Sequence, residues 1–171
     1  MRKFIFGLFL LINLPYAIGQ RYPLPQGPEP LPDLNLQDQD GVSVSLDYLE
    51  GKYVYVLIWS SWSDEAMDCF PALAYQIKQF AGFPVEFVTV NVDQEAKRWK
   101  KTLHKHSLAG THYWAGPEQK IVEEFSLLKF PRAILIDPRG SLIMDRAPMP
   151  VRLSNPLKKL LAKPGIASST N

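Results

Sequence analysis

Among side chains able to do chemistry, the chain holds one cysteine, Cys69, and three histidines, His104, His106 and His112. A lone cysteine cannot close an intrachain disulfide. It can serve as a monothiol that forms mixed disulfides or a sulfenic acid, or as a small buried hydrophobe. Its place on an apolar stripe with Ala66, Phe70, Leu73, Ile77 and Phe80 favours packing. On an extended segment His104 and His106 would point the same way and could meet a metal with His112. On a helix that pair diverges by about 200°, and no carboxylate or cysteine completes a ligand spacing, so exposed histidines near a helix end are expected instead. Ser63 has no histidine near it and no G-x-S-x-G setting, which leaves helix capping as its better role.

The element that must position these residues runs from Tyr53 to Leu73, YVYVLIWSSWSDEAMDCFPAL. Tyr53 to Trp59 is apolar on both faces and rich in β-branched and aromatic residues, as expected of a central strand covered on both sides. Ser63, Asp64 and Glu65 then read as a helix start: a hydroxyl to cap an orphan N–H and two carboxylates at the positive end of the dipole. The helix is predicted over roughly Asp64 to Phe80, with a kink at Pro71. A strand follows at Pro84–Val92, parallel to the first because the connection is long enough for a crossover. A polar helix is predicted from Asp93 through Leu103, then a short strand or extended loop at Gly110–Trp114. A further helix is predicted from Pro117 through Leu128. The segment KFPRAILIDPRGSLIMDR predicts a hairpin of Ala133–Ile136 and Leu142–Asp145, and a last helix spans Asn155–Ala162.

These motifs resemble the thioredoxin superfamily, in particular its extracytoplasmic TlpA-like branch, in which a strand ends in W-x-x-W-C-x-x-C and a proline-containing helix follows. Trp59, Trp62 and Pro71 match, as does the FPxAxxIDPxG segment, where Pro131 after Phe130 takes the place of the family's cis-proline. The entry segment, with Asp40-Gly41 as a hairpin turn and Gly51-Lys52 before the central strand, also matches. The resemblance covers about Pro32 to Ala162. It implies an α/β thioredoxin-like fold: a central mixed β-sheet flanked by helices, with an added N-terminal β-hairpin.

The same alignment of motifs implies that the dithiol machinery is missing. Ser63 stands where the nucleophilic cysteine would be, Ala66 where the resolving one would be, and Leu57 where relatives often carry a buried carboxylate. A peroxidase reading fails as well, because peroxiredoxins place a threonine three residues before the reactive cysteine and Ala66 is there. What the resemblance leaves is the peptide-facing groove, bordered by Trp59, Trp62, Ser63, Ala66, Phe130 and Pro131, with both tryptophans exposed. The expected function is a protein- or peptide-binding module at that groove. The alternative is a monothiol oxidoreductase or redox sensor using Cys69. No cofactor is implied.

At 171 residues, 46% hydrophobic and 21% charged, the chain suits one globular domain, predicted over residues 33–162. Residues 1–19 read as a signal peptide: Arg2 and Lys3, an apolar run from Phe4 to Ile12, and Ala17 and Gly19 at a cleavage site before Gln20. The rival is an uncleaved anchor, which Asn13 and Pro15 interrupt. Export is therefore expected, with a periplasmic setting implied by the resemblance and an extracytoplasmic protein or peptide as partner. Membrane contact is expected only if the segment stays attached. Residues 20–32, with five prolines between Pro23 and Pro32, read as a semi-stiff tether, and residues 163–171 as a frayed tail. Cleavage takes Arg2 and Lys3 and brings the formal charge from +2 to zero. With no sustained basic run evident, nucleic acid and anionic membrane surfaces are not expected partners.

Overall fold

The computed structural model describes residues 29–31, 34–116 and 118–162. The expected signal peptide, nearly all of the proline-rich tether, Pro117 and the tail lie outside the described residues. Eight strands form one mixed sheet in the order β1-β8-β7-β4-β5-β6-β2-β3. The central strand β4 (Tyr53–Trp59) is buried at every position, which is why its sequence is apolar without alternation. It pairs in parallel with β5 (Val85–Asn91) and antiparallel with β7 (Arg132–Ile136). Strand β6 (Thr111–Trp114) continues the parallel side, and β8 (Ser141–Met144) closes the hairpin with β7.

The N-terminal hairpin joins β2 (Leu36–Gln37) to β3 (Ser43–Val44) and extends the sheet beyond β6. Leu46 opens a 3-10 turn at Leu46–Leu49 that follows the hairpin. Two residues of the expected tether, Glu29–Pro30, form β1, a short edge strand antiparallel to β8. A proline is tolerated there because an edge strand need not donate to a further neighbour.

Helices α1 (Asp64–Gln79), α2 (Ala96–His106) and α4 (Ser154–Leu161) pack on one face of the sheet. Period two in β4 sends Tyr53, Tyr55, Leu57 and Trp59 into that layer, against Phe70 and Leu73 of α1, Trp99 of α2 and Leu157 of α4. Val54, Val56 and Ile58 face the other layer, closed by α3 (Lys120–Glu124), the 3-10 turn and Leu34 and Leu36. Polar ties hold the first layer: the buried Gln76 amide donates to the Pro150 carbonyl at 2.8 Å and accepts from Ser154 Oγ at 3.0 Å. Helix α2 begins at Ala96, three residues later than its sequence predicts. Asp93 is withheld from it because the backbone N–H of Asp93 bonds the Asn91 side chain and its own side chain is drawn to the β4–α1 turn.

At the β7–β8 hairpin, Asp137 Oδ1 accepts from the N–H groups of Arg139 and Ser141, and Gly140 takes the positive φ that the turn requires. Burial opposes ionisation of Asp137, but these hydrogen bonds and the Arg139 guanidinium outweigh it and hold the carboxyl below its usual pKa. The turn is thus fixed by local chemistry, and it folds β8 back on β7, the strand that pairs with β4 and that Pro131 immediately precedes.

Candidate functional site: the turn after β4 and the Phe130–Pro131 loop

The site forms where β4 ends and α1 begins. Ser63 is the N-cap of α1, and its Oγ accepts from Ala66 N–H at 3.2 Å. The same hydroxyl donates to the Phe130 carbonyl at 3.0 Å. One side chain therefore satisfies an orphan helix donor and joins the helix start to the loop before β7. The Phe130–Pro131 peptide bond is cis, the arrangement the resemblance implied at this place.

The two tryptophans part company. Trp62 is 62% exposed and meets Phe130 edge to face, ring centroids 5.7 Å apart. Trp59 is fully buried and packs edge to face on Phe70 at 5.0 Å. The expectation that Trp59 borders the groove is therefore corrected. Trp59 is the last residue of β4, so strand alternation turns it into the core with Leu57 before the chain leaves the sheet. Ala66 is also fully buried, its backbone N–H spent on Ser63 Oγ, so it too is corrected from the groove to the core. Leu57, at the family's carboxylate position, is a core residue.

Beside the turn lies a groove of about 330 Å³. Trp62, Phe130, Val92 and Val122 give it apolar walls, and Gln94, Glu95, Arg98 and Gln119 give it polar ones. Gln119 is itself held by donating to the Val92 carbonyl at 2.6 Å. This volume suits a large side chain with adjoining backbone, apolar on one side and hydrogen-bonded on the other.

Two features escaped the sequence. The first is Asp93, buried to 1% exposure, whose Oδ1 accepts from Ser61 N–H at 3.0 Å. It holds the turn from the loop just after β5, 32 residues away, while Trp114 Nε1 donates to its backbone carbonyl at 2.7 Å. The residue type was visible, but a carboxylate next to a predicted helix reads as a cap. The second is charge: α2 carries Lys97, Arg98, Lys100, Lys101 and Lys105 and no acidic residue. The near balance of charge over the whole chain, +2 in total, hid this local excess. The pairs Lys97–Lys101 and Lys101–Lys105 are four residues apart, a spacing at which like charges cost a helix about 0.2–0.5 kcal/mol per pair.

Cys69 is half-buried against the α1 layer, and its Sγ donates to the Glu65 carbonyl at 3.4 Å. Burial first, then the carboxylates of Asp68 and Glu65, push its thiol pKa up. The three histidines are not assembled, and no group of three or more metal-ligating side chains occurs among the described residues. His104 and His106 are exposed at the end of α2, whereas His112 in β6 uses both ring nitrogens, Nδ1 with Thr89 Oγ1 at 2.7 Å and Nε2 with the Leu108 carbonyl at 2.9 Å. Among the described residues, no helix is long and apolar enough to cross a membrane.

A cis-proline loop set against the N-terminus of the helix after a central strand defines a thioredoxin-like protein. The chain belongs to the AhpC/TSA family, matched over residues 28–144. It is 28% identical over 112 residues to the thiol-disulfide oxidoreductase ResA of Bacillus subtilis, a match covering 66% of this chain and 62% of that relative's length. Among solved structures, a Bacteroides vulgatus protein assigned as a thiol-disulfide oxidoreductase superposes with a TM-score of 0.68 at 28% identity, over 77% of this chain and 90% of that one. A Chlorobium tepidum protein assigned as the thiol:disulfide interchange protein DsbE shares the fold, with a TM-score of 0.68 at 22% identity over 79% of this chain and 95% of that one.

Proposed function

We propose that this chain is an exported member of its family in which dithiol exchange has been lost and the groove beside Trp62 and Pro131 binds an extended protein or peptide segment. The observation that carries the reading is the Ser63 hydroxyl. At the position where the resemblance puts a nucleophilic thiol, it is engaged as both donor and acceptor, to Phe130 and Ala66. A hydroxyl so occupied, without a base beside it, is a poor nucleophile. Ala66, at the second thiol position, supplies no group that could exchange. Export rests on the signal-like pattern of residues 1–19.

The relatives named as thiol-disulfide oxidoreductases would lend their activity to this chain only if Cys69 could act alone. A thiol whose pKa is raised by burial and two neighbouring carboxylates carries little thiolate at neutral pH, which disfavours that route. The test is turnover of a small disulfide substrate by the full chain, by Cys69→Ser, and by the double variant Ser63→Cys/Ala66→Cys. Neither of the first two should turn over. The double variant places two thiols three residues apart at a helix start, within disulfide reach, and should gain exchange. Turnover that disappears in Cys69→Ser would overturn the proposal.

A further inference from the structure

Resting on that reading, we infer that the groove's occupant is an acidic extended polypeptide: an apolar side chain anchored between Trp62 and Phe130, with carboxylates laid along the basic face of α2. Three observations converge. Arg98 lines the same groove as Trp62 and Phe130, so the apolar walls and the basic helix are one continuous surface. Lys97, Arg98, Lys101 and Lys105 are exposed and lie opposite Trp99 and Leu103, the residues that bury the other side of the helix. None of the four forms an ion pair among the described residues. The helix therefore keeps a row of like charges that is unfavourable for its own stability.

The surface also has a direction. Glu95 lines the groove on the N-terminal side of Arg98, so acidic residues of an occupant are repelled from that end and attracted toward Lys101 and Lys105. From Arg98 to Lys105 the helix rises roughly 10 Å, which about three extended residues span. The preferred segment is thus an apolar residue with acidic residues in the next three or four positions. The concave groove next to the charges favours a polypeptide over a bilayer surface, which would meet the lysines but leave the groove empty.

The test uses the full chain and three labelled nine-residue peptides, each with one central leucine followed by three glutamates, three glutamines or three lysines. Fluorescence anisotropy should rank them glutamate, glutamine, lysine, with at least a fivefold step between the first two. That step should shrink as salt rises from about 50 to about 200 mM. Lys97→Glu/Lys101→Glu should weaken the glutamate probe about tenfold relative to the glutamine probe, and Lys97→Ala/Lys101→Ala should do so by less, a second variant that keeps a strong helix former at both sites. Equal binding of the three probes would overturn the charge inference and leave the groove reading standing. Binding of none of them would overturn both. Tighter, lysine-dependent binding to phosphatidylglycerol vesicles or to a single-stranded DNA oligonucleotide than to the glutamate probe would also overturn it, making α2 a surface for that anion.

Discussion

Trp59 and Trp62 are separated only by Ser60 and Ser61, yet they belong to different regions with different obligations. Trp59 ends β4 and is sealed against Phe70 in the core layer, while Trp62 stands on the rim against Phe130. The first answers to packing, and its neighbours fill the space on every side. The second contributes little burial and leaves a large aromatic face at a groove. In this chain the rim and the core are therefore separable: one tryptophan can serve the fold while the other serves the surface.

The largest expected effect breaks the core side of this contrast. Trp59→Ala removes a fully buried aromatic residue and should cost about 3–5 kcal/mol of stability, enough to unfold a marginal domain. Urea unfolding gives the value directly, and a loss below about 1 kcal/mol would mean that Trp59 is not a core residue.

That outcome was partly legible beforehand. The all-apolar run of β4 announced a strand covered on both faces, and period two from Tyr53 through Leu57 already put Trp59 on the face of α1. Treating W-x-x-W as a single exposed motif obscured the register. Asp93 was not legible, because its partner Ser61 N–H is 32 residues distant and only the pairing of β4 with β5 brings them together. The basic face of α2 was written openly in the sequence but cancelled in the total charge. The fold thus followed from patterns within elements, whereas of the groove's walls only Trp62 and Phe130 were named from the sequence; Val92, Gln94, Glu95, Arg98, Gln119 and Val122 reach it through neighbours in space, as do the contacts that set the turn.

The join between the two regions is Ser63. Ser63→Ala loses a cap and also strips the Phe130 carbonyl of its donor, so a stability loss of about 1–2 kcal/mol is expected, at the upper end for an N-cap. Ser63→Thr keeps a hydroxyl and should recover most of it. If both variants lose the same amount, the hydroxyl is not what ties α1 to the loop.

A smaller effect comes from His112. Burial lowers its pKa below the ordinary 6.5, outweighing the opposing pull of the Leu108 carbonyl. The neutral ring donates from Nε2 to that carbonyl and accepts from Thr89 Oγ1 at Nδ1. A base kept neutral when folded but free to protonate when unfolded gives stability that is complete above the unfolded pKa and is lost as pH falls toward the folded one. Thermal midpoints at about pH 7.5 and about pH 5.5 should differ more for the native chain than for His112→Gln; an equal drop would place the titrating group elsewhere.

The smallest effect on stability is expected at Trp62, and it bears most on the contrast. Its single ring contact with Phe130 and its high exposure limit what Trp62→Ala can remove, so the stability loss should stay under about 1 kcal/mol. If the ring anchors a bound segment, the same substitution should weaken the leucine-containing glutamate peptide by about 2 kcal/mol or more, roughly thirtyfold. Urea unfolding and anisotropy on one variant read the two quantities separately. A large stability loss would make Trp62 a second core tryptophan and collapse the distinction between rim and core. A small loss with unchanged peptide affinity would leave the rim without its anchor and move the binding surface toward α2.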